Sequence, residues 1–205
     1  MPNLAFITDP ALRDELQGGL QRVESRLAAA VKSSYPFVTE TSAHLVEAGG
    51  KRFRPLMTLL CAGLGDPDRA DVVAAATVVE LTHLATLYHD DVMDEAPMRR
   101  GRPSANTRWD NSVAILTGDF LFSRASDILA DLGPEAVRIQ ARTFERLVTG
   151  QIRETVGPAD GQDEVDHHLQ VLADKTGSLI ATSAQFGAMF AGCDDAIIDT
   201  VTRYG

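Results

Sequence analysis

Apolar residues recur along the chain at helical spacing, separated by short clusters of breaker residues. Leu12, Leu16, Leu20, Val23 and Leu27 fall three or four apart and predict an amphipathic first helix. A second helical stretch over residues 42–47 runs into Gly49-Gly50, which cap or break it. Pro55 suits the first turn of a helix over residues 56–64, closed by the turn signal Gly65-Asp66-Pro67. A long Ala-, Val- and Leu-rich helix is expected over residues 71–94, ending before Pro97, and residues 99–103 read as a loop. Helices follow over residues 112–132, with an interruption near Gly118, and over residues 135–155. Beyond a polar loop at residues 157–161, segments 163–176 and 178–190 are expected as two helices broken at Gly177. No run alternates with period two between hairpin turns, so the fold class is all-α.

The helix over residues 71–94 is apolar nearly all round, which places it at the centre of a bundle. Its C-terminal end nevertheless carries Asp90, Asp91 and Asp94. Three carboxylates buried at the negative end of a helix dipole are costly without a compensating cation. Asp90 and Asp94, four apart, share a helix face, and Asp91 lies about 100° round. Oxygen donors with no His or Cys in the pattern favour magnesium over zinc. By spacing alone the cluster also fits a solvated acidic face; its place at the end of an apolar helix favours the metal.

The 205 residues suffice for one domain, and 44% hydrophobic with 23% charged residues fits a folded chain. A net charge of −10, from 19 basic and 29 acidic residues, argues against nucleic-acid binding. The apolar run over residues 72–79 is shorter than the roughly 20 residues a bilayer requires, so no transmembrane segment is expected. Residues 1–10 show neither the basic nor the apolar region of a secretory leader. Cys61 and Cys193 lack a CxxC spacing and read as reduced thiols of a cytoplasmic protein. The basic residues form two knots, Lys51-Arg52-Arg54 and Arg99-Arg100-Arg102. They fit either solvated loops or a site for a small anion. Guanidinium groups bind diphosphate oxygens in pairs, and Gly49-Gly50 lets backbone come close to a phosphate. One acidic triplet with two basic clusters describes a cavity for two diphosphates, one held through metal and one directly.

Gly49-Gly50-Lys51-Arg52-Phe53-Arg54-Pro55, His89-Asp90-Asp91-Val92-Met93-Asp94, Arg99-Arg100-Gly101, Gly118-Asp119 and Lys175-Thr176-Gly177 occur in this order. The chain from about residue 45 onward thereby resembles the trans-prenyl diphosphate synthases. A lone DDxxD is shared with terpene cyclases; its pairing with GGKRxRP and a following RRG is specific. The resemblance implies a helical bundle around a central cavity, lacking here its C-terminal helices. It also implies head-to-tail condensation of isopentenyl diphosphate with an allylic diphosphate, usually in a homodimer. Asp90 and Asp94 would ligate magnesium, with Asp91 supporting; two ions are implied here and a third at a second Asp-rich motif. Arg99 would contact the allylic diphosphate, Lys175 would add charge near the leaving group, and Thr176 would sit by the developing cation. Lys51, Arg54 and Arg100 would bind isopentenyl diphosphate, helped by His83, and Gln151 occupies a position where relatives carry Gln or Glu.

The growing chain would run down the long helix past Thr86, Ala85, Thr82, Leu81 and Val78. Small Ala85 and Thr86 imply a deep pocket and a long polyprenyl product, with geranylgeranyl diphosphate the shorter alternative; Ala85→Phe is expected to shorten it. Asp194-Asp195 with Asp199 departs from the second Asp-rich motif and reads as a helix cap and first turn. Residues 1–205 are therefore expected to be a single, truncated synthase domain, weakly active or inactive alone. A non-catalytic partner subunit is the alternative. A class I terpene cyclase is disfavoured, because it holds no second diphosphate for Lys51, Arg54 and Arg100.

Overall fold

A computed structural model describes residues 4–205; of the N-terminal stretch examined for a leader, residues 1–3 lie outside the described residues. Helices α1 (Pro10–Ala30), α2 (Pro36–Glu47), α3 (Phe53–Ala62) and α4 (Ala70–Met93) come first. A two-residue ladder, β1 (Met98–Arg99) with β2 (Arg102–Pro103), precedes the short α5 (Ala105–Arg108). Then come α6 (Asn111–Leu132), α7 (Pro134–Val156), α8 (Glu164–Leu172), a π-helical turn (Ala173–Gly177), α9 (Ser178–Phe190) and α10 (Asp195–Tyr204). Several helices start where side chains cap orphan amides. Asp9 accepts from the amides of Ala11 and Leu12, with Pro10 opening α1, and Asp110 accepts from Val113 at 2.7 Å. Asp194 accepts from the Ile197 amide, so Asp194-Asp195 is a helix cap and first turn as expected.

Helix α4 lies at the centre, against α1, α3, α6 and α9. Val72, Ala75, Val78, Leu81, Leu84 and Tyr88 are fully enclosed. By length and composition α4 could cross a bilayer, longer than the eight-residue run suggested, but 72% of that stretch is buried inside the fold, as in a core helix.

Two expected breaks are absent. Helix α6 runs through Gly118 without interruption. There the missing side chain makes room for a neighbour: a Cβ would lie 2.3 Å from Nε2 of His89. At Gly177 the chain stays helical and widens into a π turn, joining α8 to α9. Such turns are rare and recur at functional sites. The expected loop at 99–103 is a tight hairpin, because Arg100 and Gly101 both take positive φ, 52° and 76°, the pattern of a primed two-residue turn.

Candidate active site

Two adjoining cavities open at the C-terminal end of α4. The larger, of ≈ 500 Å³, is bounded by Asp90, His83 and Thr86 of α4, by Phe144, Leu147 and Gln151 of α7, and by Lys175 and Thr176 of the π turn. The smaller, of ≈ 350 Å³, is bounded by Gly50, Lys51, Phe53, Arg54, Glu80 and Arg100. Arg54 and His83 line both. The larger is mostly apolar with a polar end; the smaller is rich in cations.

The three basic residues following Gly49-Gly50 divide by role. All three border the smaller cavity, Lys51 exposed and Arg54 half-buried, but Arg52 is buried and its charge is already paired. Arg52 adopts φ 47° and donates to Glu24 at 2.6 Å, to Glu80 at 2.7 Å and to the Val46 carbonyl. That network raises the Arg52 pKa despite its burial. Arg100 donates to the carbonyls of Leu45 and Gly49 and lies 3.6 Å from Glu80. Gly50 admits it, since a Cβ there would meet its Cζ at 2.9 Å. Burial lowers the pKa of both Arg54 and Arg100, aided by Arg100 in the first case and by Arg52 and Arg99 in the second, and opposed in each by Glu80. His83, half-buried on the wall that both cavities share, is pushed down to about 2 by desolvation and by the charges of Arg54, Arg100, Arg52 and Arg99, and stays neutral. Nε of Arg54, though buried, has no hydrogen-bond partner. Desolvated, partly unpaired cations against a neutral imidazole form a receptor for an anion.

The aspartates are not assembled as a triad. Asp90 lines the larger cavity, and burial raises its pKa, reinforced by Asp94 and Asp91 and opposed by Lys175 and Arg99. Asp94 caps α4 in an exposed position. Asp91 is fully buried, and both Nε and Nη2 of Arg99 meet its Oδ1 at 2.6 Å. The compensating cation required by buried carboxylates is therefore Arg99 in the case of Asp91. Among the described residues no three acidic, His or Cys groups converge as a metal cage. Asp90 and Asp94 do supply hard oxygens, and magnesium needs only one or two carboxylates besides phosphates and water. The donor set fits that ion in partnership with a diphosphate.

Lys175 pairs with Glu154 and, with Thr176, reaches the cavity from the π turn. Gln151 lines the same wall with its buried Oε1 unpartnered. Arg99 borders neither cavity. Of the residues expected along the hydrocarbon path, Thr86 faces the larger cavity, whereas Val78, Leu81, Thr82 and Ala85 are enclosed in the core. Sequence reasoning passed over Glu80, which joins Arg52 to Arg100 from inside the bundle. Its signal was present: it is the one charged residue between Val72 and Leu84. Also unforeseen was Phe144, which borders the larger cavity and a third one between α6 and α7. It stacks edge-on against Phe122 with ring centroids 4.4 Å apart.

The profile of the polyprenyl synthetase family matches residues 35–205. The chain belongs to that family. It is 48% identical to the nonaprenyl diphosphate synthase of Mycobacterium tuberculosis, over 96% of this chain and 59% of that protein. It is 45% identical to the dimethylallyltranstransferase of the same organism, over 96% of this chain and 61% of the relative. The geranylgeranyl pyrophosphate synthase of Corynebacterium glutamicum, solved with calcium and isoprenyl diphosphate, superposes with a TM-score of 0.87 at 47% identity, over 96% of this chain and 60% of that one. The family member thus spans about 60% of the length of these relatives.

Proposed function

We propose that this chain forms the part of a trans-polyprenyl diphosphate synthase that binds both substrates, condensing isopentenyl diphosphate with an allylic diphosphate. The observation that carries this is the pair of cavities meeting at Arg54 and His83. A single diphosphate would need one cationic pocket; here a cation-rich pocket opens beside an apolar one with its own polar end. Isopentenyl diphosphate sits against Lys51, Arg54 and Arg100. The allylic diphosphate sits near Asp90, Lys175 and Gln151, its hydrocarbon between Thr86, Phe144, Leu147 and Leu179.

Asp90 and Asp94 would hold magnesium, which when bound would supply positive charge against the leaving diphosphate. Lys175 adds positive charge at the same end, lowering the cost of heterolysis of the allylic C–O bond. The apolar walls keep water from the allylic cation. The double bond of isopentenyl diphosphate, oriented by Arg54 and Arg100, attacks it. The new bond leaves a tertiary cation that loses a proton to the departing diphosphate. Neutral His83 offers a hydrogen bond without repelling the arginines. A long polyprenyl product, a homodimer and a cytoplasmic setting complete the proposal.

The test is incubation of the protein at the full length of its relatives with labelled isopentenyl diphosphate, allylic primers and magnesium, followed by sizing of the products. Incorporation is expected, and Asp90→Asn lowers it by at least about a hundredfold through lost charge stabilisation. No incorporation with any primer would sink the proposal.

A further inference from the structure

Both arginines of the Arg99-Arg100 pair sit on the β1–β2 hairpin, and that hairpin is far too short to hold a shape by itself. We infer that His44 is the positioning residue that locks the hairpin, and with it Arg100, into the geometry that binds diphosphate. The inference rests on the functional proposal for the task of Arg100, but not for the lock itself.

His44 is buried in α2, with 3% of its surface exposed. Its Nε2 lies 2.8 Å from the Pro103 carbonyl, on the returning strand. Its Nδ1 lies 3.4 Å from Nη1 of Arg108. A guanidinium only donates, so Nδ1 accepts, the proton rests on Nε2, and Nε2 donates to Pro103. The ring is held in turn. Trp109 meets it edge-on with centroids 5.2 Å apart, the Arg108 guanidinium lies 4.5 Å over Trp109, and Arg108 pairs with Glu40 of α2 at 2.8 Å.

The same helix end holds the turn of the hairpin, since the Leu45 and Gly49 carbonyls accept from Arg100. The α2 terminus thus grips the hairpin at two points, the returning strand through His44 and the turn through Arg100. Arg100 carries φ 52°, an uncommon conformation for a side-chain-bearing residue, which persists only where its surroundings impose it. The first strand is tied to α4 by Arg99 and Asp91. Releasing His44 frees the hairpin from α2 on the Pro103 side and loosens Arg100.

The experiment compares His44→Phe, which keeps the ring contact with Trp109 but removes the donor, with His44→Gln, whose amide restores a donor near Nε2. The first readout needs no activity: tryptic cleavage after Arg99 and Arg100 in the native protein. His44→Phe is expected to be cut at least tenfold faster there, with unchanged cleavage elsewhere, and His44→Gln close to the wild-type rate. The second is affinity for inorganic diphosphate, expected to fall about tenfold in His44→Phe and to recover in His44→Gln, as for a misplaced binding group. Should His44→Phe fail to fold, nitrogen-15 shifts of His44 in the unaltered protein decide instead: protonation on Nε2 supports the lock, and on Nδ1 overturns it. Equal cleavage in all three proteins, or a loss that glutamine does not restore, also overturns it. If the unaltered protein fails to bind diphosphate, the functional proposal fails while the cleavage rates still decide the role of His44.

Discussion

At the scale of single residues, Arg52 and Arg54 are two positions apart and opposite in function. The φ of 47° at Arg52 turns its side chain into the bundle, where Glu24 and Glu80 neutralise it, and leaves Arg54 on the cavity wall. Removing one partner of a buried ion pair strands the other charge. Arg52→Met is therefore expected to cost about 3 kcal/mol or more, because Glu80 loses its closest cation. Arg54→Met is expected to leave stability unchanged or slightly raised, since a desolvated charge repelled by Arg100 disappears. Diphosphate affinity should instead fall about tenfold to a hundredfold, the worth of a charged hydrogen bond. Urea unfolding and titration calorimetry on both variants check the contrast; a stable Arg52→Met protein would contradict it. The sequence showed a basic knot here, but not its division, because the division follows from one left-handed backbone residue and a carboxylate 28 positions away.

At the scale of elements, the helices were legible because each buries one face at the spacing its sequence displays, and α4 buries nearly all faces. Gly118 and Gly177 misled for different reasons. At Gly118 the space belongs to the His89 ring. The π turn depends on packing against α7, which local pattern does not encode. Of the residues expected along a hydrocarbon path, Thr86 alone lines the larger cavity; Ala85 is enclosed, its carbonyl 3.1 Å from a Cβ built at Gly118. Ala85→Phe would overpack the α4–α6 contact, costing about 1–3 kcal/mol before any product is measured. Thr86→Phe is the cleaner variant and is expected to shorten the product ladder. Phe144→Ala, at the wall shared with the cavity between α6 and α7, is expected to lengthen it. Reversed-phase sizing of the products decides, and an unchanged ladder in both variants would remove α4 and α7 from length control.

At the scale of the molecule, the site is a concentration of charge that the fold tolerates rather than welcomes, and this shows in stability against pH. His83 falls from an ordinary 6.5 to about 2 in the folded protein because burial and four arginines oppose its protonation. The unfolded chain therefore binds a proton that the folded chain refuses between those values. This contribution is fully present above pH 6.5 and is lost as pH falls toward 2. Asp90 and Asp91, raised by burial, act in the opposite sense: they favour the fold when protonated and lose that contribution as pH rises through their folded values. Comparison with His83→Gln isolates the imidazole, because both carboxylates remain in each protein. Between pH 6 and pH 5 the unaltered protein is expected to lose stability faster than His83→Gln by up to about 1.4 kcal/mol per pH unit, the limit for one proton. Parallel urea titrations at closely spaced pH values measure this slope. Equal slopes would mean that His83 accepts its proton in place, as it would if the arginine cluster relaxed away from it, and the cationic cavity would then be a looser receptor than its geometry indicates.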